Sequence, residues 1–343
     1  MTETTKNVSF EQEHLRLVSG YNDIFVGIAC IITFVSLTTL ITGKYLDQIL
    51  VLGSAFGLAW YFVRHQRMRF TGIVISTAVA ISGLTLGFQF FYAGSIPDVP
   101  PPPSDLGGNV TTLPIMLPVV VPLTISAILS FGFWRFARIP LAHALGVLAI
   151  LLAILVTVIA TQLMSQLIDE HYFDELDPLP FVDLWAQMQT LRAFPALATS
   201  FILGCLVEAY AIWWDVKDPK RQSVATDVAF WTHIVAAPFI VQPLYWWAED
   251  LAWSATSEVI LGVLLFVLLL VFALVINRRA LLIGAMVWVL AALFTVADMA
   301  VAGLSMGVIL LIIAAAWNKT RQLIEPIMPE LLQHRFPTLV AET

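Results

Sequence analysis

Apolar runs of about twenty residues, each closed by a short polar stretch, recur along the whole chain and set its organisation. A run of that length lets an α-helix cross a hydrocarbon layer of roughly 30 Å, and inside lipid only helices or closed barrels satisfy every backbone amide. The pattern predicts ten spans, at about 21 to 43, 49 to 64, 71 to 95, 113 to 134, 141 to 167, 193 to 214, 223 to 247, 258 to 277, 281 to 301 and 303 to 317. The break after Val301 rests on a tight Gly-containing turn in AVAGLSMG. The expected fold is all-α, a polytopic transmembrane helical bundle, with a cytoplasmic N-terminal arm (1–20), a single transmembrane domain (21–317) and a cytoplasmic tail (318–343).

Every second connection is basic. Lys6, Arg16, Arg64, Arg67, Arg69, Arg135, Arg138, Lys217, Lys220, Arg221, Arg278, Arg279, Lys319, Arg321 and Arg335 fall on one side, and Lys44 and Arg192 alone fall on the other. Cytoplasmic loops carry the Lys and Arg excess, so both termini are expected in the cytoplasm, with an even number of spans. The arm lacks the basic, apolar, small-residue order of a cleavable signal peptide, so the first span is expected to be retained. Of the outward connections, Ile96 to Val110 is Pro- and Gly-rich and reads as an extended surface loop. Ile168 to Arg192 ends in a helical pattern of Phe181, Leu184, Trp185, Met188 and Leu191, which reads as a short helix on the outer membrane surface.

Composition agrees with this picture and removes other classes. Hydrophobic residues make up 59% of the 343 and charged residues 12%, half the charged share of an ordinary soluble domain. A net charge of −7, with its basic residues at span ends, argues against nucleic acid as a partner. Cys30 and Cys205 both lie in apolar runs and are expected to be reduced and inert.

Candidate chemistry concentrates in residues 193 to 247, which read as two spans folded back on each other. Here Glu208, Asp227 and His233 stand in or beside apolar runs, where ionisable groups are costly and mark proton or substrate paths by default. A carboxyl group facing an acid or an imidazole across such a hairpin can share a proton. The plainer alternative is a hydrogen-bonded buried acid, an interfacial aspartate and a histidine locked to a backbone carbonyl. Asp218 and Pro219 form a cap and first turn, so the seventh helix is expected to begin in the cytosol and place Asp227 at the interface. Pro238 and Pro243 follow His233 and free backbone carbonyls, among them that of Ile234. Pro114, Pro118 and Pro122 recur every four residues in the fourth span, and Pro118 and Pro122 read as a hinge or cavity lining, or as a merely bent packing helix. Tyr21, Asn22 and Asp23 open the first span and would either close a polar site or cap the helix through Asn22.

Trp60 with Arg64, Trp134 with Arg138, Trp213 with Lys217 and Trp317 with Arg321 each place an indole one turn before a cation. They read as interfacial anchors that reach lipid headgroups, or as traces of a duplicated two-helix unit. The acidic outer cluster Asp169, Glu170, His171, Asp174, Glu175 and Asp177 lacks the ligand alternation and central Gly of a calcium loop, so no metal is expected. There is no G-x-S-x-G elbow, H-E-x-x-H pair or P-loop. His143 and His233, the two histidines within spans, are too few for a two-haem cytochrome, and no cofactor is expected.

The segments YNDIFV from Tyr21, WYFVRHQRMR from Trp60 and TDVAFWTHIVAAPFIVQPL from Thr226 resemble a family of uncharacterised bacterial multi-pass inner-membrane proteins. That resemblance implies a bacterial inner-membrane location and no particular activity or cofactor. The functional expectation is therefore a membrane protein that moves or senses a small solute or ion, with Glu208 and His233 as proton-handling groups and the lipid bilayer as its surroundings. A structural or accessory membrane protein is the alternative, and an intramembrane enzyme the third reading.

Overall fold

A computed structural model describes residues 18–41, 45–94, 113–169, 194–218, 223–251, 253–276, 278, 282, 286, 290, 293 and 298–324. Among them there is no strand. The helices are α1 (Tyr21–Leu40), α2 (Leu46–Leu58), α3 (Arg69–Gly94), α4 (Leu113–Ala137), α5 (Pro140–Asp169), α6 (Phe194–Val216), α7 (Val224–Leu251), α8 (Ala255–Ile276) and α9 (Met299–Ile324), with α2 continuing into a π-helical segment, Ala59–His65. Among the described residues, nine helices are long and apolar enough to cross a membrane. That is the make-up of a multi-pass membrane protein.

The span expected at 281 to 301 falls mostly outside the described residues. Leu282, Met286, Leu290 and Leu293, which are described, are helical and recur at spacings of three and four. They belong to one apolar cluster with Met306 and Trp317. The break expected after Val301 lies earlier, because the Asp298 side chain accepts from Ala300 N at 2.8 Å and starts α9 at Met299. Gly303 lies inside the helix. The connections at 96–110 and 170–193, including the Phe181 to Leu191 pattern and most of the acidic cluster, lie outside the described residues, as do residues 1–17 of the arm and 325–343 of the tail.

The helices pack as two compact units, residues 16–199 and residues 200–343 together with 1–15. In the first, α4 lies against α3 and α5. Gly83 and Gly87, one turn apart on α3, meet the backbone of Ser126 and Pro122 on α4; a Cβ on Gly87 would fall 2.3 Å from Pro122 Cα. Small residues at this spacing let two membrane helices approach to backbone contact, and Ser126 Oγ donates across the seam to Ala80 O at 2.8 Å. Pro122 is therefore buried in a helix-to-helix seam, and α4 runs unbroken through all three prolines.

A second device joins α1 to α3. The Asp23 carboxylate accepts from Arg69 N (3.0 Å), Phe70 N (3.0 Å), Thr71 N (2.9 Å), Thr71 Oγ1 (2.9 Å) and Ser19 N (2.9 Å). The first turn of any helix leaves its amides without partners, and here a carboxylate from another helix supplies them. Asn22, expected as a cap, is exposed, and α1 begins after Gly20 without a side-chain cap.

Candidate functional site

The second unit holds the ionisable residues of the hairpin. Along α6, Ser200, Gly204, Glu208, Ala211 and Asp215 recur at spacings of four and three and are all buried, forming one stripe of small and polar residues. Gly204 is the pivot: a Cβ there would lie 2.8 Å from the Phe239 carbonyl carbon on α7, so only glycine permits this approach. Close by, Ser200 Oγ donates to Phe239 O at 3.2 Å. That carbonyl is the one Pro243 leaves without its helical partner, so the proline break is compensated from the neighbouring helix and α7 continues through Pro238 and Pro243.

With the helices this close, His233 faces α6 and is 0% exposed. Its Nδ1 lies 2.8 Å from Glu208 Oε1 and its Nε2 lies 2.9 Å from Asp215 Oδ2. Glu208 and Asp215 are seven residues apart, so they stand on one face about 10 Å apart along the axis, and a single imidazole bridges them. Beyond α8, Arg278 Nε donates to Asp215 Oδ2 at 2.9 Å and a terminal guanidinium nitrogen donates to Oδ1, a two-pronged pair. The same guanidinium reaches Thr226 O at 3.4 Å. The row Arg278, Asp215, His233, Glu208 thus runs inward from the end of α6, which closes at Val216.

The two acids differ in their completeness. Both Asp215 oxygens are engaged, whereas Glu208 Oε2 is buried with no hydrogen-bond partner among the described residues. Charge arithmetic adds a constraint. Two carboxylates and one guanidinium would leave one negative charge, costly to bury uncompensated, which one further proton on His233 or Glu208 would offset. With the proton on His233, both ring nitrogens donate to carboxylates. With it on Glu208, Oε1–H donates to Nδ1 while Nε2–H still donates to Asp215. Both contacts persist in either state, so the proton can cross a 2.8 Å gap without rearrangement.

Sequence reasoning placed Glu208 and His233 here and missed Asp215 and Arg278. Asp215 follows two tryptophans at the end of its span and looks interfacial; the stripe of small residues leading to it was the available signal. Arg278 looks like an ordinary loop cation but is 1% exposed. Asp227 is half-buried in the first turn of α7, and the His233 contacts go to Glu208 and Asp215 instead. Helix α7 starts at Val224, later than Asp218 and Pro219 suggest: Ser223 caps it, and the Asp218 carboxylate accepts from Ser223 N (2.6 Å) and Thr226 Oγ1 (2.9 Å). Pro238 is exposed and Pro243 buried.

The Trp and cation pairs divide. Lys217 Nζ sits 3.0 Å from the Trp213 ring centre and Arg138 Cζ 5.5 Å from that of Trp134. Trp60 meets His65 instead, while Arg64 lies over Phe136. Trp317, expected at the interface, is 3% exposed in an apolar cluster, and the Arg321 side chain lies outside the described residues. Cys30 and Cys205 are free thiols. His143 is buried against Phe131 and Trp134 in the other unit. No group of histidine, cysteine and acidic side chains fit to hold a metal occurs among the described residues. No family model, curated protein or solved structure matches the chain.

Proposed function

We propose that this chain is a ten-span protein of the bacterial inner membrane, with both termini cytoplasmic, that moves or senses a small solute or ion in step with a proton held between Glu208 and His233. The observation that carries the reading is the unequal treatment of the two acids. A purely structural ion pair engages every oxygen, as Asp215 does, whereas Glu208 keeps Oε2 unpartnered in a buried site. A buried carboxyl oxygen without a partner is an open position for a proton or a polar solute. Asp215 and Arg278 then act as positioning residues that orient the imidazole toward Glu208.

The test is infrared titration of the reconstituted protein. A carboxylic C=O band that responds to pH is expected in the wild type and absent in Glu208→Gln, with that variant folded and inserted. His233→Ala should leave the band present and alter its pH response. If both variants titrate like the wild type, neither residue handles the proton.

A structural reading is favoured by the complete burial of His233. It expects Glu208→Gln to be tolerated, and only Glu208→Leu or Glu208→Ala to lose thermal stability in detergent. For topology, single-cysteine labelling from outside should modify positions in 96–110 and 168–190 and spare 65–69 and 215–222. Labelling of the Lys217 to Arg221 loop from the periplasm would reverse the orientation.

A further inference from the structure

At the opposite corner of the sequence, in the first unit, a cavity of about 690 Å³ is lined by Arg64, Gly132, Arg135, Phe136, Ala137 and Arg138, a volume in the range of ligand sites. Three guanidinium groups share it, and no acidic side chain lines it among the described residues. Residues 48 to 97 and 106 to 168 contain no Asp or Glu at all. Asp23, a buried acid of this unit, has its oxygens taken by Ser19, Arg69, Phe70 and Thr71.

The backbone at this site is shaped as well as charged. Arg64 sits in the π-helical segment that ends α2, Ala59–His65, a local rewinding common at functional sites. Arg138 closes α4 in the left-handed region, at φ 57, which costs a non-glycine residue about 1–2 kcal/mol. Arg64 lies over Phe136 with Cζ 5.6 Å from the ring centre and Arg138 over Trp134 at 5.5 Å, and a guanidinium held over an aromatic face keeps N–H groups for a further partner. These groups match a phosphate.

What surrounds the cavity identifies the source of that phosphate. Thr124, Ile128, Gly132 and Arg135 follow one another at spacings of four and three along α4, and all are exposed, with Ile128 at 65%. Gly132 has open space where a Cβ would stand. This outward stripe is apolar along the span and ends in arginine, as an acyl chain beneath its headgroup requires. Basic pockets between membrane helices bind anionic lipid headgroups in the same way.

We propose that the Arg64, Arg135 and Arg138 cavity is a binding site for the phosphate of an anionic lipid headgroup, whose acyl chain lies along the Thr124 to Arg135 stripe of α4. The proposal is independent of the proton site. Its test is native mass spectrometry of the full chain from detergent, with phosphatidylglycerol, phosphatidylcholine or inorganic phosphate added. Phosphatidylglycerol should be retained in preference to phosphatidylcholine. Arg135→Gln should weaken retention about fivefold, the equivalent of about 1 kcal/mol per cation, and the triple variant Arg64→Gln, Arg135→Gln, Arg138→Gln should abolish the preference. These arginines are exposed, and the single variant guards against misfolding of the triple. Equal retention of both lipids by the wild type, or undiminished phosphatidylglycerol preference in the triple variant, would overturn the site. Inorganic phosphate bound as tightly as phosphatidylglycerol would make it a soluble-anion site and overturn the lipid assignment.

Discussion

Arg278→Met is expected to destabilise the folded protein by about 3–5 kcal/mol, the usual consequence of removing one partner from a buried ion pair. Arg278 is almost wholly enclosed and engages both Asp215 oxygens. Its loss leaves Asp215 with His233 as its one remaining described partner and the cluster short of a positive charge. Thermal unfolding in detergent should show a midpoint lower by on the order of 10 °C. Pairing Arg278→Met with Asp215→Asn should recover much of that loss, because a neutral amide no longer needs a buried cation. An unchanged midpoint in Arg278→Met would mean that the pair carries no stabilisation, and recovery absent from the double variant would mean that Arg278 acts by packing alone.

The second large effect belongs to Asp23. Asp23→Ala removes the acceptor for three consecutive amides at the start of α3 and for the Thr71 hydroxyl. Each buried donor left unmatched costs about 1–3 kcal/mol. Water reaching the helix end recovers part of this, so a total of about 3 kcal/mol is expected from those donors. Asp23→Asn retains one carbonyl acceptor and should fall between wild type and alanine. Hydrogen exchange locates the effect: the amides of Arg69, Phe70 and Thr71 should exchange faster in Asp23→Ala while the middle of α3 stays protected. Uniform acceleration throughout α3, or none, would remove the capping role.

Glu208 and His233 were legible as candidates for a reason that operates locally. An ionisable side chain within an apolar run carries a cost that composition alone reveals, and twenty apolar residues can satisfy their amides in lipid only as a helix. Asp23 was visible as a polar residue at a span start, but the helix it caps begins 46 residues later. Trp317 shows the limit of periodicity: its spacing to Arg321 matches that of the other anchors, yet its indole is packed among apolar side chains. No local pattern distinguishes an indole facing headgroups from one facing a neighbouring helix.

By itself the chain determined the lengths and helical character of its spans, the position of its basic ends and the cost of its buried acid and histidine, since each follows from short-range periodicity and from the solvation of individual groups. Tertiary structure alone decided which polar groups meet. Glu208 and His233 are 25 residues apart, and Asp215 and Arg278 are 63. Glu208 and His233 come together because Gly204 lets α6 and α7 approach to backbone contact. Buried charge must be balanced by whatever lies across that contact, and the identity of that neighbour is a property of the packed helices.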